Sequence, residues 1–327
     1  MIIAGDIGGT NTRLVLVEQT ADELTIAAEE ILPSREFTGL EAAIEEFLSH
    51  HSCDVTKACF GIAGPVLNGR CEATNLPWVV DAKSLADRLH LKHVGLINDL
   101  EANAYGIATL RSKDFVILNK GVPGATGNMA IISAGTGLGE AGLYWGGEVH
   151  RPFATEGGHT DFAPRNELEM ELFKYSLTQY QHVPYERLVS GPGLVHIYHF
   201  LVDTGRGEEQ RWIAEQIHHG DPAPIISQFG LEEKCPLCRQ ALEIFVSLYG
   251  AEAGNLALKL MATGGMYLGG GIAPKIIRKL QGPEFMNAFS AKGRMRPLLQ
   301  NIPVRVIMNP DTALFGAARH AAFASGE

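Results

Sequence analysis

The sequence has little of what marks several specialised classes of protein. Its 327 residues include only five cysteines and 8% aromatic residues, and it has no run of lysine or arginine. The net charge is −10, whereas nucleic-acid-binding proteins cluster basic residues to neutralise phosphates, so we expect no nucleic-acid partner. No apolar stretch reaches the roughly 20 residues of a membrane span, so we expect no membrane association.

The cysteines indicate a reducing compartment. Five thiols, in a chain that opens on a strand rather than a signal peptide, predict a cytoplasmic protein with free cysteines. Only Cys235–Cys238, which reads C-P-L-C, has the spacing of a metal or redox site, and the other three cysteines offer no second pair. Because Pro236 suits the first turn of a helix, the pattern favours packing at a helix start over metal binding.

The N-terminal residues have the character of a phosphate-binding loop. Residues 1–13 read M-I-I-A-G-D-I-G-G-T-N-T-R, a short apolar strand that runs into two glycines, a threonine and an asparagine. Gly8 and Gly9 let backbone N–H groups approach an anion, and Asp6 can hold a divalent cation directly or through water. An ordinary hairpin turn is the alternative, since Gly-Gly before Thr-Asn also suits positive φ.

Two further glycine clusters favour the phosphate interpretation. Residues 133–139 read S-A-G-T-G-L-G after an apolar strand, and residues 264–271 read G-G-M-Y-L-G-G-G around another. Neither matches the G-x-x-x-x-G-K-[ST] or G-x-G-x-x-G motif of other nucleotide-binding folds. Three glycine loops at strand ends are what one nucleotide held between two domains would require.

The predicted elements follow a recognisable order in each half. In the first half, three strands that can pair antiparallel precede an α-β-α-β series, which is the ribonuclease-H-like order. We predict strands over 1–4, 12–18, 24–31, 58–63 and 94–97, and helices over 39–51, over 81–91 with Asp81 or Ser84 as cap, and from Leu100.

The second half is predicted to repeat strands and then add long helices. We predict strands over 115–118, 129–133, 265–268 and 304–308, a hairpin of 138–145 with 148–150, and helices over 167–181, 193–203, 208–218, 237–261, from Pro274, and over 313–323. The length suggests two domains, and the absence of a low-complexity linker predicts that they meet along a cleft.

The motifs together resemble those of bacterial glucokinases, in the actin-like hexokinase group. The segments that carry the resemblance are 5–13 (G-D-I-G-G-T-N-T-R), 97–99 (I-N-D), 135–139 (G-T-G-L-G), 156–164 (E-G-G-H-T-D-F-A-P) and 186–193 (E-R-L-V-S-G-P-G). The resemblance runs from residue 1 to about residue 320. It implies an α/β protein of two ribonuclease-H-like domains with a cleft between them. The small domain would be 1–109 joined by the C-terminal helix at about 311–327, and the large domain 110–310.

The resemblance also implies an activity, the transfer of the ATP γ-phosphoryl group to the 6-hydroxyl of glucose. Asp99 would be the general base, Asn98 and Glu156 would bind the middle hydroxyls of the ring, and His159 and Glu186 would bind near the anomeric end. Gly137 belongs to both the sugar and the nucleotide set. Taken alone, an Asn-Asp pair is more typical of a turn or a helix cap.

The same resemblance assigns the nucleotide site and its metal. Magnesium would accompany ATP near Asp6, held through water, and the protein would be a homodimer. We expect no zinc, because none of the cysteines lies near His159 in the sequence, as they do in related repressor-type sugar kinases. The residues expected to bind ATP are Gly5, Asp6, Ile7, Gly8, Gly9, Thr10, Asn11, Thr136, Gly137, Gly270 and Gly271.

Three alternatives remain open at this point. Hydroxyl epimers differ by a few hydrogen bonds, so the substrate could be fructose, mannose or an N-acetylhexosamine. A non-catalytic sugar sensor of the same fold is disfavoured by the intact phosphate loop and Asp99. An actin-like filament protein or chaperone ATPase would not be expected to carry a sugar-binding set, whereas this chain has Glu156, His159 and Glu186.

Overall fold

A computed structural model describes residues 1–20, 24–73 and 76–323 of the chain. The strands are β1 (Ile2–Ile7), β2 (Asn11–Gln19), β3 (Leu24–Pro33), β4 (Lys57–Ile62), β5 (Arg70–Glu72), β6 (Val79–Asp81), β7 (Gly95–Asn98), β8 (Phe115–Asn119), β9 (Met129–Ala134), β10 (Leu138–Trp145), β11 (His150–Thr155), β12 (Gly265–Gly269) and β13 (Val304–Ile307). The α-helices are α1 (Leu40–His50), α2 (Ala82–Leu89), α3 (Asp99–Gly106), α4 (Glu167–Leu177), α5 (Gly191–Asp203), α6 (Arg211–His219), α7 (Pro222–Leu231), α8 (Pro236–Leu260), α9 (Ile277–Leu280), α10 (Pro283–Ser290), α11 (Arg296–Gln300) and α12 (Thr312–Phe323).

The chain folds into two units, and the first is assembled from separate stretches of sequence. The first unit contains residues 1–114, 151–154 and 309–327, and the second contains residues 115–150 and 155–308. Each unit has its own sheet and its own core, and we describe them separately.

The first unit has the sheet order β3-β2-β1-β4-β7, with β1–β3 antiparallel and β4 and β7 parallel to β1. This is the ribonuclease-H-like order that the sequence predicts. Ile7 pairs with Ile62, and Ile62 pairs with Asn98, so the carboxyl ends of the three parallel strands share one edge of the sheet. Asp6 and Asp99 therefore come to the same edge, although 93 residues separate them in the sequence (99 − 6).

The core of the first unit lies on both faces of this sheet because side chains alternate along each strand. On one face, Ile3 and Ile7 of β1 pack with Phe47 of α1. On the other face, Ile2 and Ala4 pack against the alanine-rich side of α12. The sheet is thus held between two layers of helix.

The strands of the second unit have the sheet order β10-β9-β12-β13-β8. β9, β12 and β13 are parallel, so Ala134 and Gly269 end at the same edge. Behind the sheet lies α8, whose side chains are buried almost all round, as expected of a central helix. Tyr249 of α8 donates a hydrogen bond to the carbonyl of Ile132 at 3.2 Å, which fixes the helix against β9.

Some predicted boundaries are wrong, and the reasons are local. The second strand of the predicted hairpin begins at His150 rather than ending there, and α9 begins at Ile277 rather than at Pro274. The sequence analysis also missed α7, α10 and the small β5–β6 pair. α7 and α10 begin with Pro222 and Pro283, just as the predicted α8 begins with Pro236, but the proline was used as a helix-start signal only at Pro236.

The cysteine pair serves packing, as the sequence favours. Cys235 is the N-cap of α8 and its sulfur accepts a hydrogen bond from the backbone N–H of Cys238 at 3.3 Å. Both side chains lie in the apolar core of the second unit. Over the described ranges, no helix is at once long enough and apolar enough to cross a membrane.

Candidate active site

The predicted phosphate loop is the turn between β1 and β2, and a buried serine holds its shape. The backbone N–H of Gly8 donates to the carbonyl of Asn11 at 3.0 Å, which closes the turn. Ser34 donates from its hydroxyl to the carbonyl of Gly8 at 2.8 Å and from its backbone to the carbonyl of Thr10 at 3.0 Å. Its hydroxyl also lies 2.9 Å from that of Thr12. Sequence reasoning missed Ser34, which lies 26 residues after Gly8.

The loop is a hairpin turn between the antiparallel β1 and β2, but without the positive φ that the sequence allows at its glycines. Gly8 and Gly9 are not among the described residues with positive φ, so the turn does not depend on the left-handed region. The side chains of Thr10 and Asn11 are exposed, as a ligand-binding turn requires. Gly5 instead lies within β1, where a Cβ would come 2.8 Å from Leu14 and Phe60, so its lack of a side chain serves packing.

Asp6 is half-buried near the end of β1. Burial raises the pKa of its carboxyl, and the nearby Arg13 guanidinium partly offsets that rise. Arg13 is itself committed to structure: it pairs with Glu29 and, at 2.7 Å, with Asp311. Arg13 thus joins β2 and β3 to the chain just before α12.

The donor set around Asp6 is compatible with magnesium that arrives on a nucleotide. Within the described ranges, no three His, Cys, Asp or Glu side chains are placed to hold a metal ion together. Magnesium bound with ATP commonly takes one or two protein carboxylates and completes its octahedron with phosphate oxygens and water. A single carboxylate beside a phosphate loop fits that pattern.

Asn98 acts as the helix cap that its sequence context suggests. Its Oδ1 accepts from the backbone N–H of Leu100 at 2.9 Å, and its Nδ2 donates to the carbonyl of Gly64 at 3.1 Å. The backbone N–H of Asn98 donates to the carboxylate of Glu101, and burial raises the pKa of that glutamate. This is a capping box, and the spacing Asn-x-x-Glu is the signal that could have revealed it.

Asp99 is the first residue of α3 and is half-buried. Its Oδ1 accepts from the backbone N–H of Leu100 at 2.9 Å. A carboxylate has about four lone-pair sites, so this bond leaves capacity to accept a substrate hydroxyl. The N-terminal end of a helix also favours a negative charge at this position.

In the second unit, the structure brings Glu186 to the glycine loop of residues 135–139. Oε2 of Glu186 accepts from the backbone N–H of Leu138 at 3.0 Å. A Cβ on Gly137 would lie 2.5 Å from the same oxygen, so only glycine leaves room for this carboxylate. The loop and the predicted sugar-binding glutamate therefore form one structural group.

The third glycine loop lies beside the second. Gly270 has φ +78°, and a Cβ there would lie 2.5 Å from the carbonyl oxygen of Ala134 at the end of β9. Gly271 has open space around it, and Thr136 is exposed. The predicted nucleotide residues of this unit thus gather where β9 and β12 end.

Glu156 and His159 flank a single turn whose middle is closely packed. Their side chains are 62% and 58% exposed, and Nε2 of His159 lies 4.0 Å from Oε2 of Glu156. Gly158 is buried, and a Cβ there would collide with the carbonyl of Leu138. His159 and Glu186 both line a cavity of about 370 Å³, so the two predicted sugar ligands lie close together.

The fold and these side chains define an actin-like sugar kinase. The family model for glucokinase matches residues 3–324. The chain is 44% identical to the glucokinase of Trichormus variabilis, over 98% of this chain and 99% of the relative, and 35% identical to that of Yersinia pestis, over 97% and 95%. A solved glucokinase from an Antarctic psychrotroph is 30% identical with a TM-score of 0.84, over 98% of both chains. The chain belongs to the glucokinase family, which confirms the resemblance drawn from its motifs.

Proposed function

We propose that Asp99 is the general base of this glucokinase, accepting the proton of the glucose 6-hydroxyl as that oxygen takes the γ-phosphoryl group of ATP. The observation that carries the proposal is the half-buried Asp99 carboxylate, at the start of α3 and at the same sheet edge as the loop after β1. Phosphoryl transfer passes through a loose transition state, so the enzyme contributes mainly position and charge neutralisation. A carboxylate held in this place can orient the attacking 6-hydroxyl and accept its proton.

The side chains proposed to bind the sugar differ in how firmly the protein holds them. Glu186 is fixed by the N–H of Leu138, whereas Glu156 and His159 are exposed and can adjust to a ligand. Asn98 keeps one amide N–H beyond its bond to Gly64, so it can still donate to a hydroxyl oxygen. Its capping bond fixes the direction of that donor.

The nucleotide role falls to the glycine loops of both units. In the first unit, residues 8–11 would surround phosphate oxygens, and Asp6 would hold magnesium through water. In the second unit, the backbone at Thr136, Gly137, Gly270 and Gly271 would face the nucleotide. The magnesium supplied with ATP would neutralise charge on the phosphate oxygens.

The setting of the enzyme is also a proposal. We infer a cytoplasmic protein, because all five cysteines are free thiols, two of them in the interior of the first unit and two in that of the second. We infer a homodimer from the family resemblance alone. Sedimentation equilibrium of the purified protein tests the dimer, and a monomer at micromolar concentration would contradict it.

The decisive experiment couples ADP release to a panel of hexoses. Release that is strongest with glucose, and lost in Asp99→Asn while glucose still binds, would support both the substrate and the base. Strongest release with mannose, fructose or an N-acetylhexosamine would keep the base and change the substrate. Hexose binding without any hexose-dependent ADP release would contradict the proposal and indicate a sensor.

A further inference from the structure

Two glutamates lie inside the second unit, outside the set of residues assigned above. Glu140 of β10 is 1% exposed and Glu252 of α8 is 0% exposed. Oε1 of each residue is buried and has no hydrogen-bond donor within the described part of the chain. Burying carboxyl oxygens without donors is costly, so the pair requires a physical explanation.

Glu140 lies directly beneath the turn that carries Glu156 and His159. Its Oε2 fills the space that a side chain on Gly157 would need. Its backbone carbonyl accepts from the hydroxyl of Thr155 at 3.0 Å, and that hydroxyl oxygen accepts from the backbone N–H of Gly157 at 3.2 Å. The turn therefore rests on Glu140 through both its side chain and its backbone.

Glu252 is connected to the other predicted sugar ligand. Its Oε2 accepts from Nδ2 of Asn255 at 2.7 Å, and the same Nδ2 donates to the hydroxyl of Tyr185 at 3.1 Å. Tyr185 directly precedes Glu186, whose carboxylate is held by the N–H of Leu138. Leu138 lies two residues before Glu140 on β10, so the two glutamates support the same group of ligands from opposite ends.

The two carboxyls differ in their partners. Burial raises the pKa of Glu252, but Nζ of Lys259 lies 3.5 Å from its Oε1 and Asn255 donates to its Oε2, and both partners favour the ionised form. Burial raises the pKa of Glu140 to about 8, the neighbouring Glu252 contributes to the rise, and Lys259 opposes it. Because Oε1 of Glu140 is buried and has no hydrogen-bond donor among the described residues, we assign the proton of the pair to Glu140.

Other titratable groups face this pair and must be separated from it. Burial raises the pKa of the phenols of Tyr249 and Tyr185, to which Glu140 and Glu252 respectively add. Burial also lowers the pKa of Lys292 to about 8, and its ammonium donates to Oδ1 of Asn255 at 2.5 Å. Lys292 is thus the competing source of any change near pH 8.

We propose that Glu140 is a positioning residue for hexose binding: its neutral carboxyl holds the Gly157 turn in place, while Glu252 holds Glu186 through Asn255 and Tyr185. Ionisation of Glu140 would place two carboxylates together in the interior. Their repulsion would displace the turn that carries Glu156 and His159. The inference rests on the proposed sugar-binding role of those side chains and adds a pH limit to it.

The test is the pH dependence of the Michaelis constants for glucose and for ATP. In the native protein, the neutral fraction of Glu140 at pH 9 is about a tenth, so KM for glucose should rise about tenfold from pH 7 to pH 9. KM for ATP should change less than twofold. Glu140→Gln, which stays neutral, should keep the native glucose KM at pH 7 and show no alkaline rise.

Controls separate this outcome from a general structural effect. Glu148→Gln makes the same substitution at an exposed position beyond the end of β10 and should follow the native profile. An alkaline rise that persists in Glu140→Gln would overturn the inference and assign the rise to Lys292. A native glucose KM that stays flat to pH 9 would also overturn it.

A second measurement uses only the native protein, so it does not depend on whether a variant folds. The infrared band of the neutral carboxylic acid should disappear from the native protein near pH 8, together with glucose affinity measured by calorimetry. Loss of affinity without loss of that band would contradict the inference. Glucose phosphorylation at pH 7 tests the proposed function independently, because that assay does not require Glu140 to titrate.

Discussion

The two units place their candidate site residues by different physical means. In the first unit, Asn98, Asp99 and Glu101 lie within four consecutive residues, and local bonds at the start of α3 orient them. In the second unit, Glu186 is held by Leu138, 48 residues away in the sequence. Local backbone geometry thus positions the proposed base, whereas a long-range contact positions Glu186, a proposed sugar ligand of the second unit.

The difference has a consequence for mutation. A capped residue keeps its position as long as the helix begins where it does, so changes at Asp99 should affect chemistry with little effect on folding. A residue held by distant partners depends on several elements at once. Substitutions that remove the contacts of Glu186 should therefore alter binding and stability together.

The largest expected effect is a loss of catalytic activity without a loss of stability. Asp99→Asn should lower kcat by about a thousandfold, since a positioned general base contributes roughly 10²–10⁴-fold. Asparagine can still accept the N–H of Leu100, so the melting temperature and glucose affinity should stay near native values. A kcat within tenfold of native would contradict the role of Asp99.

The next effect should fall on binding and stability together. Glu186→Ala removes the acceptor for Leu138 N–H and a proposed sugar ligand, so glucose KM should rise roughly 10–100-fold, the equivalent of a charged hydrogen bond. We also expect a loss of about 1 kcal/mol in the free energy of unfolding, measured by urea denaturation. An unchanged glucose KM would show that Glu186 serves only the loop.

The third prediction concerns Glu140 in the second unit and the pH dependence of the free energy of unfolding. Because the pKa of Glu140 is raised above its unfolded value, folded protein keeps a proton that the unfolded chain has released. The stability that this proton contributes is present at low pH and is lost as pH rises towards about 8. Relative to native protein, Glu140→Gln should gain roughly 1 kcal/mol per pH unit between about pH 6 and 8.

The measurement is urea unfolding of both proteins at matched pH values. Taking the difference removes groups common to both, including His196, whose pKa burial lowers to about 4. A difference that stays constant with pH would show that Glu140 does not titrate in this range.

The smallest effect concerns the hairpin loop of the first unit. Ser34→Ala removes the hydroxyl bonded to the carbonyl of Gly8, which should cost about 1 kcal/mol of stability. KM for ATP should rise a few fold and KM for glucose should not change. Ser84→Ala, at an exposed position of α2, is the matched control. Equal changes in both Michaelis constants would contradict a local role in the phosphate loop.

What the sequence could predict follows the same division. The strand order of the first unit and the glycine loops were predictable, because short-range patterns of apolar residues and glycines encode them. Glu140 and Ser34 were not, since a polar residue in a strand or at a strand end carries no sign of the distant Gly157 or Gly8 that it supports. α7 and α10 were missed although each begins with a proline, because that start signal was used only at Pro236.

The discontinuity of the first unit matters while the protein is being made. The apolar face formed by Ile2, Ala4 and Val15 is covered by α12, which is translated about 300 residues later. At the usual rate of elongation this interval lasts roughly 15–60 s. The nascent chain therefore carries an exposed apolar surface near its N-terminus while residues 115–308 emerge from the ribosome and fold. A stalled ribosome or a premature stop codon before residue 312 would leave that surface permanently open, a substrate for chaperones and proteases.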